Sequence, residues 1–395
     1  MNARNVKLGL APSKIREIFE YAKKRKSEIG EENVFDFSIG NPNAPAPKEV
    51  KDSLIDLLNN TDPRKLHSYT SNNGDKSVRE EIAKYLNKTY NTELSGDYIF
   101  LCCGAAAGLA ITFNCLLLKD DEVITFAPHF PDYRVSIENI GAKLITCKAD
   151  KNFQPDLIDL ENRINNKTNI VLYNSPNNPT GVFYDENTIK KIVSILEKKQ
   201  KEFGHPIYLM SDEPYRELLF DNQKYPFVTN YYKNSIVTYS FSKSTSLAGE
   251  RIGYIVVNPK CDDALRIYKG ICGAAWSLGY IAAPSMFQFL IPHILGHTSD
   301  LNFYKENRDI LYNTLKDIGY EVTYPDGAFY MFMKALEEDA NKFCEVAKEY
   351  ELLLVPSDSF GITGYVRIAY CVSRDTVMNS KEAFKKLYQR YKGGK

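Results

Sequence analysis

The chain has 395 residues, which is enough for two or three domains with a large buried core. Fifty Lys and Arg residues balance fifty Asp and Glu residues, so there is no basic excess to attract nucleic acid or an anionic membrane surface. With 44% hydrophobic and 25% charged residues, the composition is that of a folded globular protein and not of a disordered one.

The sequence predicts a cytoplasmic protein. Residues 1–30 contain no uninterrupted apolar segment of the kind found in secretory signals, and their mixed charges do not suit a transit peptide. The most apolar later stretch, residues 280–295, is interrupted by Pro284 and Pro292 and is too short to span a bilayer. The eight cysteines show no C-x-x-C spacing, so we expect reduced and mostly buried thiols.

The predicted elements begin with a helix over Ser13 to Ile29. From about residue 97, short β-branched or aromatic runs alternate with stretches of helical period, including helices over 106–118 and 187–202. Seven of the short runs are predicted as buried strands, at residues 98–103, 122–127, 143–147, 169–174, 207–211, 236–241 and 253–257.

This alternation predicts an α/β fold, in which a mainly parallel sheet is covered by helices on both faces. The pattern changes after residue 296, where we expect helices at 300–318, 338–350 and 374–391 and strands at 328–333, 352–355 and 365–371. We therefore expect a large domain over residues 46–290 and a smaller α+β domain built from residues 1–45 and 291–395. Because ligands of parallel sheets bind at the carboxyl ends of the strands, the residues after each strand are the candidates for a site.

Four short segments directly follow predicted strands, a fifth lies further along the chain after the strand at 236–241, and all five carry groups suited to chemistry. They are Gly104-Ala-Ala-Ala-Gly108, Ser175-Pro-Asn-Asn-Pro-Thr-Gly181, Asp212-Glu213-Pro214-Tyr215, Ser242-Lys243-Ser244 and Arg251-Ile-Gly253. The first opens a helix with small residues, so its backbone N–H groups can approach an anion. A lysine directly after an apolar strand is partly desolvated, which favours its neutral, nucleophilic amine.

Each segment alone is more typical of a turn or a solvated charge than of a site. The first is neither G-x-G-x-x-G nor G-x-x-x-x-G-K-[ST], so binding of a dinucleotide or a nucleoside triphosphate lacks its motif. Together, however, the segments bring an anion cradle, a carboxylate, an amide, a phenol, a lysine and an arginine to one edge of the sheet.

This combination resembles the aspartate aminotransferase superfamily, the class I/II aminotransferases of fold type I that use pyridoxal 5′-phosphate (PLP). The resemblance runs from Ser38-Ile-Gly-Asn-Pro42 to Tyr365-Val-Arg367-Ile-Ala, and its most specific part is Ser240-Phe-Ser-Lys243 with Arg251-Ile-Gly253 eight residues later. It implies transfer of an amino group from an L-amino acid to a 2-oxo acid. It also implies a seven-stranded sheet sandwiched by helices, and a homodimer with shared active sites.

The resemblance implies a role for each matching residue. Lys243 would bind PLP as a Schiff base and move the substrate proton, Asp212 would pair with the pyridine nitrogen, and Tyr215 would hydrogen-bond the phenolic oxygen together with Asn178. Tyr69 would reach the cofactor phosphate of the neighbouring subunit. The remaining cofactor contacts implied are Gly104, Ala105, Ala106, Phe130, Ser240 and Arg251.

For the substrate, the resemblance implies that Arg367, Asn178 and Gly40 hold the α-carboxylate. No local motif identifies a second cation for a side-chain carboxylate, so a preference for dicarboxylates is left open. The cradle carries Ala105, Ala106 and Ala107 where relatives often have Ser, Thr or a charged residue, so phosphate binding here would rely on backbone groups.

Three other interpretations remain open at this point. A PLP-dependent C–S β-lyase could use the same lysine and carboxylate, and a non-catalytic PLP-binding regulator could share the fold, although no helix-turn-helix segment is visible. Ser240-Phe-Ser-Lys243 also satisfies S-x-x-K of acyl-serine enzymes, but the companion S-D-N and K-T-G motifs are missing. We expect no metal site, because His293 and His297 have zinc-pair spacing but lack the glutamate of H-E-x-x-H.

Overall fold

The structure is a computed structural model that describes residues 1–10 and 13–393. Its strands are β1 (Phe35–Asp36), β2 (Ile99–Cys102), β3 (Glu122–Phe126), β4 (Lys143–Cys147), β5 (Thr168–Asn174), β6 (Tyr208–Asp212), β7 (Ser235–Ser240), β8 (Gly253–Val257), β9 (Tyr330–Lys334), β10 (Leu352–Leu353), β11 (Val355–Pro356) and β12 (Tyr365–Ala369). The seven strands predicted between residues 98 and 257 are all present, each within two residues of its expected ends.

The helices are α1 (Ala3–Leu10), α2 (Lys14–Ile29), α3 (Lys48–Asn60), α4 (Pro63–Leu66), α5 (Lys76–Tyr90), α6 (Ala105–Leu116), α7 (Asp132–Asn139), α8 (Leu157–Arg163), α9 (Glu186–Phe203), α10 (Phe241–Ser244), α11 (Ala264–Ser277), α12 (Ser285–Ile294), α13 (Leu301–Ile318), α14 (Ala340–Lys348), α15 (Arg374–Asn379) and α16 (Lys381–Lys392). Several begin at an aspartate whose side chain accepts backbone N–H bonds of the first turn, including Asp75, Asp156, Asp185, Asp300 and Asp339. These caps satisfy donors that a helix start leaves unpaired.

The central sheet has seven strands in the order β2-β8-β7-β6-β5-β3-β4. Only β8 runs antiparallel to its neighbours, β2 and β7, so the sheet is mainly parallel as predicted. Every residue of β2, β7 and β8 is buried, because helices cover both faces of the sheet. The α/β class is therefore confirmed.

The two faces of the sheet form separate parts of the core. Met210 of β6 packs with Leu109 of α6 on one face, whereas Leu209 packs with Leu196 of α9 on the other. Because successive strand residues point to opposite faces, Asp212 lies on the α6 face and the next residue, Glu213, points to the α9 face.

The smaller domain joins the two ends of the chain. Strands β9, β11 and β12 form an antiparallel sheet in the order β11-β12-β9, and β1 pairs with β10 in parallel. The strand predicted at 352–355 is thus two short strands with different partners. The helix predicted at 374–391 is two helices separated by Ser380, whose hydroxyl donates to the Val377 carbonyl. Such local side-chain bonds compete with helical ones and bend the chain.

The apolar stretch at 280–295 forms the ten-residue helix α12, whose residues Leu290 and Ile291 are fully buried in the core. In the part of the chain that the structure describes, none of the helices combines the length and apolar character needed to cross a bilayer. The helix packs instead against α3 and α5.

Candidate active site

A cavity of about 220 Å³ lies at the carboxyl ends of β5, β6 and β7. Nine of the predicted site residues line it: Ala105, Ala106, Phe130, Asn178, Asp212, Tyr215, Ser240, Lys243 and Arg251. The other lining residues, for which the sequence predicted no role, are Leu109, Asn174, Pro214, Ser242 and Ala248. Residues from five separate segments thus meet here, because parallel strands bring their carboxyl ends to one edge.

Asp212 ends β6 with its side chain 5% exposed inside this cavity. Its Oδ2 accepts a 2.5 Å hydrogen bond from the Tyr133 hydroxyl, while Oδ1 has no partner among the described residues. Burial raises the pKa of the carboxyl to about 7, and the hydrogen bond from Tyr133 opposes that rise. Asp212 therefore presents one free, buried acceptor to whatever occupies the cavity.

Lys243 lies in the short helix α10, which follows β7 directly. Its Nζ donates a 2.6 Å hydrogen bond to the backbone carbonyl of Gly40, which belongs to the segment after β1. Burial lowers the pKa of the amine to about 8. Because the charged form is disfavoured, a neutral and nucleophilic amine is available near neutral pH.

The start of α6 forms the anion cradle predicted after β2. Gly104 has φ +81, a left-handed conformation that favours glycine, and Gly108 is the first residue of the segment whose N–H bonds within the helix, to the Gly104 carbonyl. The Gly104 N–H donates to the Cys102 carbonyl, so the N–H groups of Ala105, Ala106 and Ala107 are the ones free to bind an anion. A Cβ on Gly104 would approach Arg251 Nη2 at 2.9 Å, so the guanidinium lies beside the cradle.

Ser240 and Arg251 complete the cradle. The Ser240 hydroxyl lies 2.7 Å from that of Ser242, which also accepts a bond from Arg251 Nη1. Arg251 itself has φ +53, a conformation that costs energy for a residue with a side chain. Gly253 permits this approach of β8, because a Cβ there would lie 2.2 Å from the Tyr239 carbonyl oxygen. In the Arg251-Ile-Gly253 motif, Arg251 thus supplies the positive charge and Gly253 allows the close packing of β8.

A second cluster of polar groups borders the cavity through Asn178. Arg367 of β12 donates to Asn178 Oδ1 at 3.1 Å and to the Ser38 carbonyl at 2.5 Å, and its guanidinium lies over the ring of Tyr330, 4.6 Å from the centroid. The Tyr330 hydroxyl is 3.0 Å from that of Tyr215. Both domains thus contribute to one hydrogen-bonded set beside Lys243.

Gly40 belongs to this set for a steric reason. A Cβ at Gly40 would lie 1.9 Å from the Tyr330 hydroxyl oxygen, so no other residue fits without displacing that ring. Its carbonyl meanwhile accepts from Lys243. The backbone of Gly40 therefore lies between Lys243 and Tyr330.

Tyr69 does not join these residues within one chain. It is 95% exposed and borders a separate surface groove with residues of the loop before α12, such as Ile281. Its predicted contact with the cofactor of a neighbouring subunit therefore remains a prediction. Among residues 1–10 and 13–393, no three His, Cys, Asp or Glu side chains are grouped to hold a metal ion.

The sequence missed two tyrosines that touch the predicted site residues. Tyr133 lies at the start of α7, and its hydroxyl reaches Asp212, 79 residues away in sequence. Tyr330 begins β9 and meets Tyr215 across 115 residues. Tyr133 could have been suspected, because it lies three residues after Phe130. Nothing local distinguishes Tyr330 from the other 26 tyrosines.

Comparison with known proteins agrees with this geometry. The family described as Aminotransferase class I and II matches residues 32–384. A probable aspartate aminotransferase of Methanocaldococcus jannaschii is 31% identical, with 96% of this chain and 98% of that protein covered. A crystal structure of an amino transferase from Eubacterium rectale is 51% identical with a TM-score of 0.97, and 99% of each chain is covered. That of the Thermotoga maritima aspartate aminotransferase is 27% identical with a TM-score of 0.85, covering 98% of this chain and 99% of that one.

The sheet, the lysine after β7 and the cradle at α6 define a PLP-dependent enzyme of fold type I. The chain belongs to the class I and II aminotransferase family. It is accordingly a transaminase that uses PLP, with an amino acid and a 2-oxo acid as its substrates. The predictions of family, fold, cofactor and activity are thereby confirmed.

The residues present fit this cofactor. The unpartnered, buried Oδ1 of Asp212 is an acceptor that a pyridine N–H would satisfy, and an unsatisfied buried acceptor is otherwise costly. The free N–H groups of α6, with Arg251 beside them, suit a phosphate. The amine of Lys243 is of the nucleophilic kind that would react with the aldehyde of PLP.

Proposed function

We propose that the chain transfers the amino group of an L-amino acid to a 2-oxo acid in the manner of an aspartate aminotransferase. The observation that carries this proposal is the pairing, in one cavity, of a lysine with a lowered pKa and a buried carboxylate with a free oxygen. The names of relatives such as the Pyrococcus horikoshii aspartate aminotransferase, 30% identical over 95% of both chains, support the assignment.

We propose that three residues do the chemical work. PLP, when bound, supplies the electron sink for the negative charge that forms at the substrate Cα. Asp212 keeps the pyridine nitrogen protonated, which strengthens that sink. Lys243 Nζ would accept the proton from the substrate Cα as general base and would then deliver it to the cofactor carbon C4′ as general acid. Tyr215 donates its hydroxyl proton toward the cofactor oxygen, and the Tyr330 hydroxyl, 3.0 Å away, fixes its direction.

The cofactor and substrate contacts follow from the same geometry. Ala105 and Ala106 would donate backbone N–H groups to the phosphate, with Gly104, Ser240 and Arg251 around it, and Phe130 would stack on the pyridine ring. Arg367 would bind the substrate α-carboxylate through its planar fork, together with Asn178 and the Gly40 backbone. Holding the substrate at that end orients its Cα–H bond toward Lys243, which selects the bond that breaks.

We further propose a homodimer with shared sites and a cytoplasmic location. Tyr69 is nearly fully exposed and lies outside its own cavity, which supports its contact with a neighbouring subunit. The eight cysteines are free and five of them are buried, as suits a reducing compartment.

The division into residues 46–290 and residues 1–45 with 291–395 is also kept as a proposal. The pairing of β1 with β10 supports the union of the two ends of the chain. Because α12 spans the proposed boundary and packs on α3 and α5, a limit after Ile294 suits the packing better than one after residue 290.

An end-point assay separates transfer from elimination. Purified holoenzyme is incubated with each of the common L-amino acids, with and without 2-oxoglutarate. Glutamate formed only in the presence of the acceptor supports the proposal. Pyruvate and ammonia formed without an acceptor would identify a β-lyase and refute it. The same panel reveals the preferred side chain.

Lys243→Ala tests the residue at the centre of the proposal. The variant should fold, bind PLP without a covalent bond and lose turnover, because no amine remains to move the Cα proton. Lys190→Ala, which removes an exposed lysine paired with Glu186, is the matched control and should behave as wild type. Borohydride reduction followed by mass spectrometry reports the covalent bond, and activity retained in Lys243→Ala would overturn the assignment.

A further inference from the structure

A buried polar network lies on the face of the central sheet opposite the cofactor cavity. Its centre is Arg216, whose side chain is 1% exposed, and its partner Glu213 is fully buried. We call the connected side chains the Arg216 network: Glu213, Arg216, Glu217, Tyr239, Ser244 and Tyr254. Glu213 and Ser244 belong to segments that the sequence predicted for the site, but no role was predicted for any of the six, and none of them lines the cavity.

Arg216 uses all three of its nitrogens in this network. Nη1 lies 3.0 Å from Glu213 Oε2, Nη2 donates to the Tyr254 hydroxyl at 2.7 Å, and Nε lies 3.2 Å from Glu217 Oε1. The guanidinium also lies over the ring of Tyr239, 4.2 Å from its centroid. A planar cation with this many directional partners has one low-energy position.

The network continues to the residue next to Lys243. The Tyr239 hydroxyl donates to Glu217 Oε2 at 3.0 Å, and it lies 2.9 Å from the hydroxyl of Ser244. Since the Tyr239 proton is committed to Glu217, Ser244 donates to Tyr239. An unbroken line of hydrogen bonds thus connects the segment after β6 with helix α10.

The network alternates with the proposed catalytic residues along the chain. Asp212 and Tyr215 line the cavity, whereas their immediate neighbours Glu213 and Arg216 are buried away from it. Ser244 likewise follows Lys243. The same backbone therefore carries both sets, and displacement of one set moves the other.

We infer that Arg216 is a positioning residue, which fixes the Asp212-to-Tyr215 segment relative to Lys243 through Glu213, Glu217, Tyr239 and Ser244. The inference deepens the proposed function and rests on it for the roles of Asp212 and Lys243. Removal of one partner from a buried ion pair leaves an uncompensated charge, so the network is also structural. The test must therefore measure more than stability.

Arg216→Lys is the informative variant, because lysine keeps the charge but cannot make three directional bonds. Arg308→Lys is the matched control. Arg308 is also 1% exposed, lies between the rings of Phe220 and Tyr324, and pairs with two carboxylates, but none of its hydrogen bonds leads to α10. Both variants should lose thermal stability.

Of these two variants, only Arg216→Lys should change the pH at which the Lys243 amine is half labelled. In the cofactor-free protein, labelling of Lys243 by an amine-acylating reagent is followed against pH by mass spectrometry. Loosening of α10 admits water, so the labelling midpoint should rise by about one pH unit, which is a tenfold loss of neutral amine at neutral pH. In the holoenzyme, kcat should fall about 10²-fold with little change in KM.

Ser244→Ala is a second test variant, for the case that Arg216→Lys fails to fold. It removes one hydroxyl and should move the labelling midpoint in the same direction by a smaller amount. Arg308→Lys should leave the midpoint at its wild-type value. An unchanged midpoint in Ser244→Ala and in any folded Arg216→Lys protein would overturn the inference. Because labelling needs no turnover, this outcome is separable from a failure of the proposed transaminase activity.

Discussion

The buried carboxyl of Asp212 predicts that the cofactor-free protein is more stable when this residue is Asn. In the folded protein the pKa of Asp212 is about 7, against an ordinary value of 3.8, because burial disfavours the charged form. The folded state therefore holds a proton between about pH 4 and pH 7 that the unfolded chain has lost. Stability falls as the pH rises through this window, and the full penalty is present above pH 7.

The size of the penalty follows from the difference between the two pKa values. A difference of about 3 pH units corresponds to ~4 kcal/mol. Between pH 5 and pH 8 the free energy of unfolding should decrease by about 2.5 kcal/mol more in the wild-type protein than in Asp212→Asn, because the variant has no proton to lose at this position. The amide can still accept the hydrogen bond from Tyr133, so the comparison leaves that contact in place.

Urea unfolding of both cofactor-free proteins at pH 5 and pH 8 measures this difference. All other titrating groups are common to the two proteins, so the change in their stability gap belongs to Asp212. Added PLP should reduce the difference in free energy of unfolding between the two proteins at pH 8. A pyridine N–H at Oδ1 would stabilise the charged carboxylate, which only the wild-type protein has. An equal loss in both proteins between the two pH values would refute the argument.

Three further changes test other contacts. Tyr133→Phe removes a hydrogen bond to the Asp212 carboxylate, worth ~1.5–3 kcal/mol. The pKa of Asp212 should therefore rise by about 1–2 pH units, as measured by the same unfolding experiments at several pH values. A lower pKa of Asp212 in the variant would contradict this prediction. Arg367→Lys loses the planar fork, so kcat/KM for the amino acid should fall ~10–100-fold in steady-state assays; an unchanged value would remove Arg367 from the substrate site. Asp75→Ala loses the cap of α5 and should cost ~1 kcal/mol in urea unfolding, with the absorbance of bound PLP unaltered. An altered spectrum would show that this helix start reaches the site.

The elements of the large domain could be read from local patterns. Apolar β-branched runs such as 169–174 and 236–241 are buried on both sides, and only strands of a covered parallel sheet need that composition. The rule that ligands bind at strand carboxyl ends then directed attention to Asp212, Asn178 and Lys243 without knowledge of any contact. The strands of the smaller domain were harder to predict from local patterns, because β10 and β11 have only two residues each and pair with different strands.

Periodicity and short motifs were enough to predict the α/β class, the seven strands, the carboxylate at the end of β6, the lysine just after β7 and the arginine just before β8. The folded chain was needed to show that Tyr133 holds one oxygen of Asp212 and that Tyr330 meets Tyr215. It was also needed to show that Arg216 is connected through Glu217 and Tyr239 to Ser244. These contacts join residues that are far apart in sequence or that point to opposite faces of one strand. A hydrogen bond depends on the distance between two atoms in the folded chain, and local spacing contains no record of that distance.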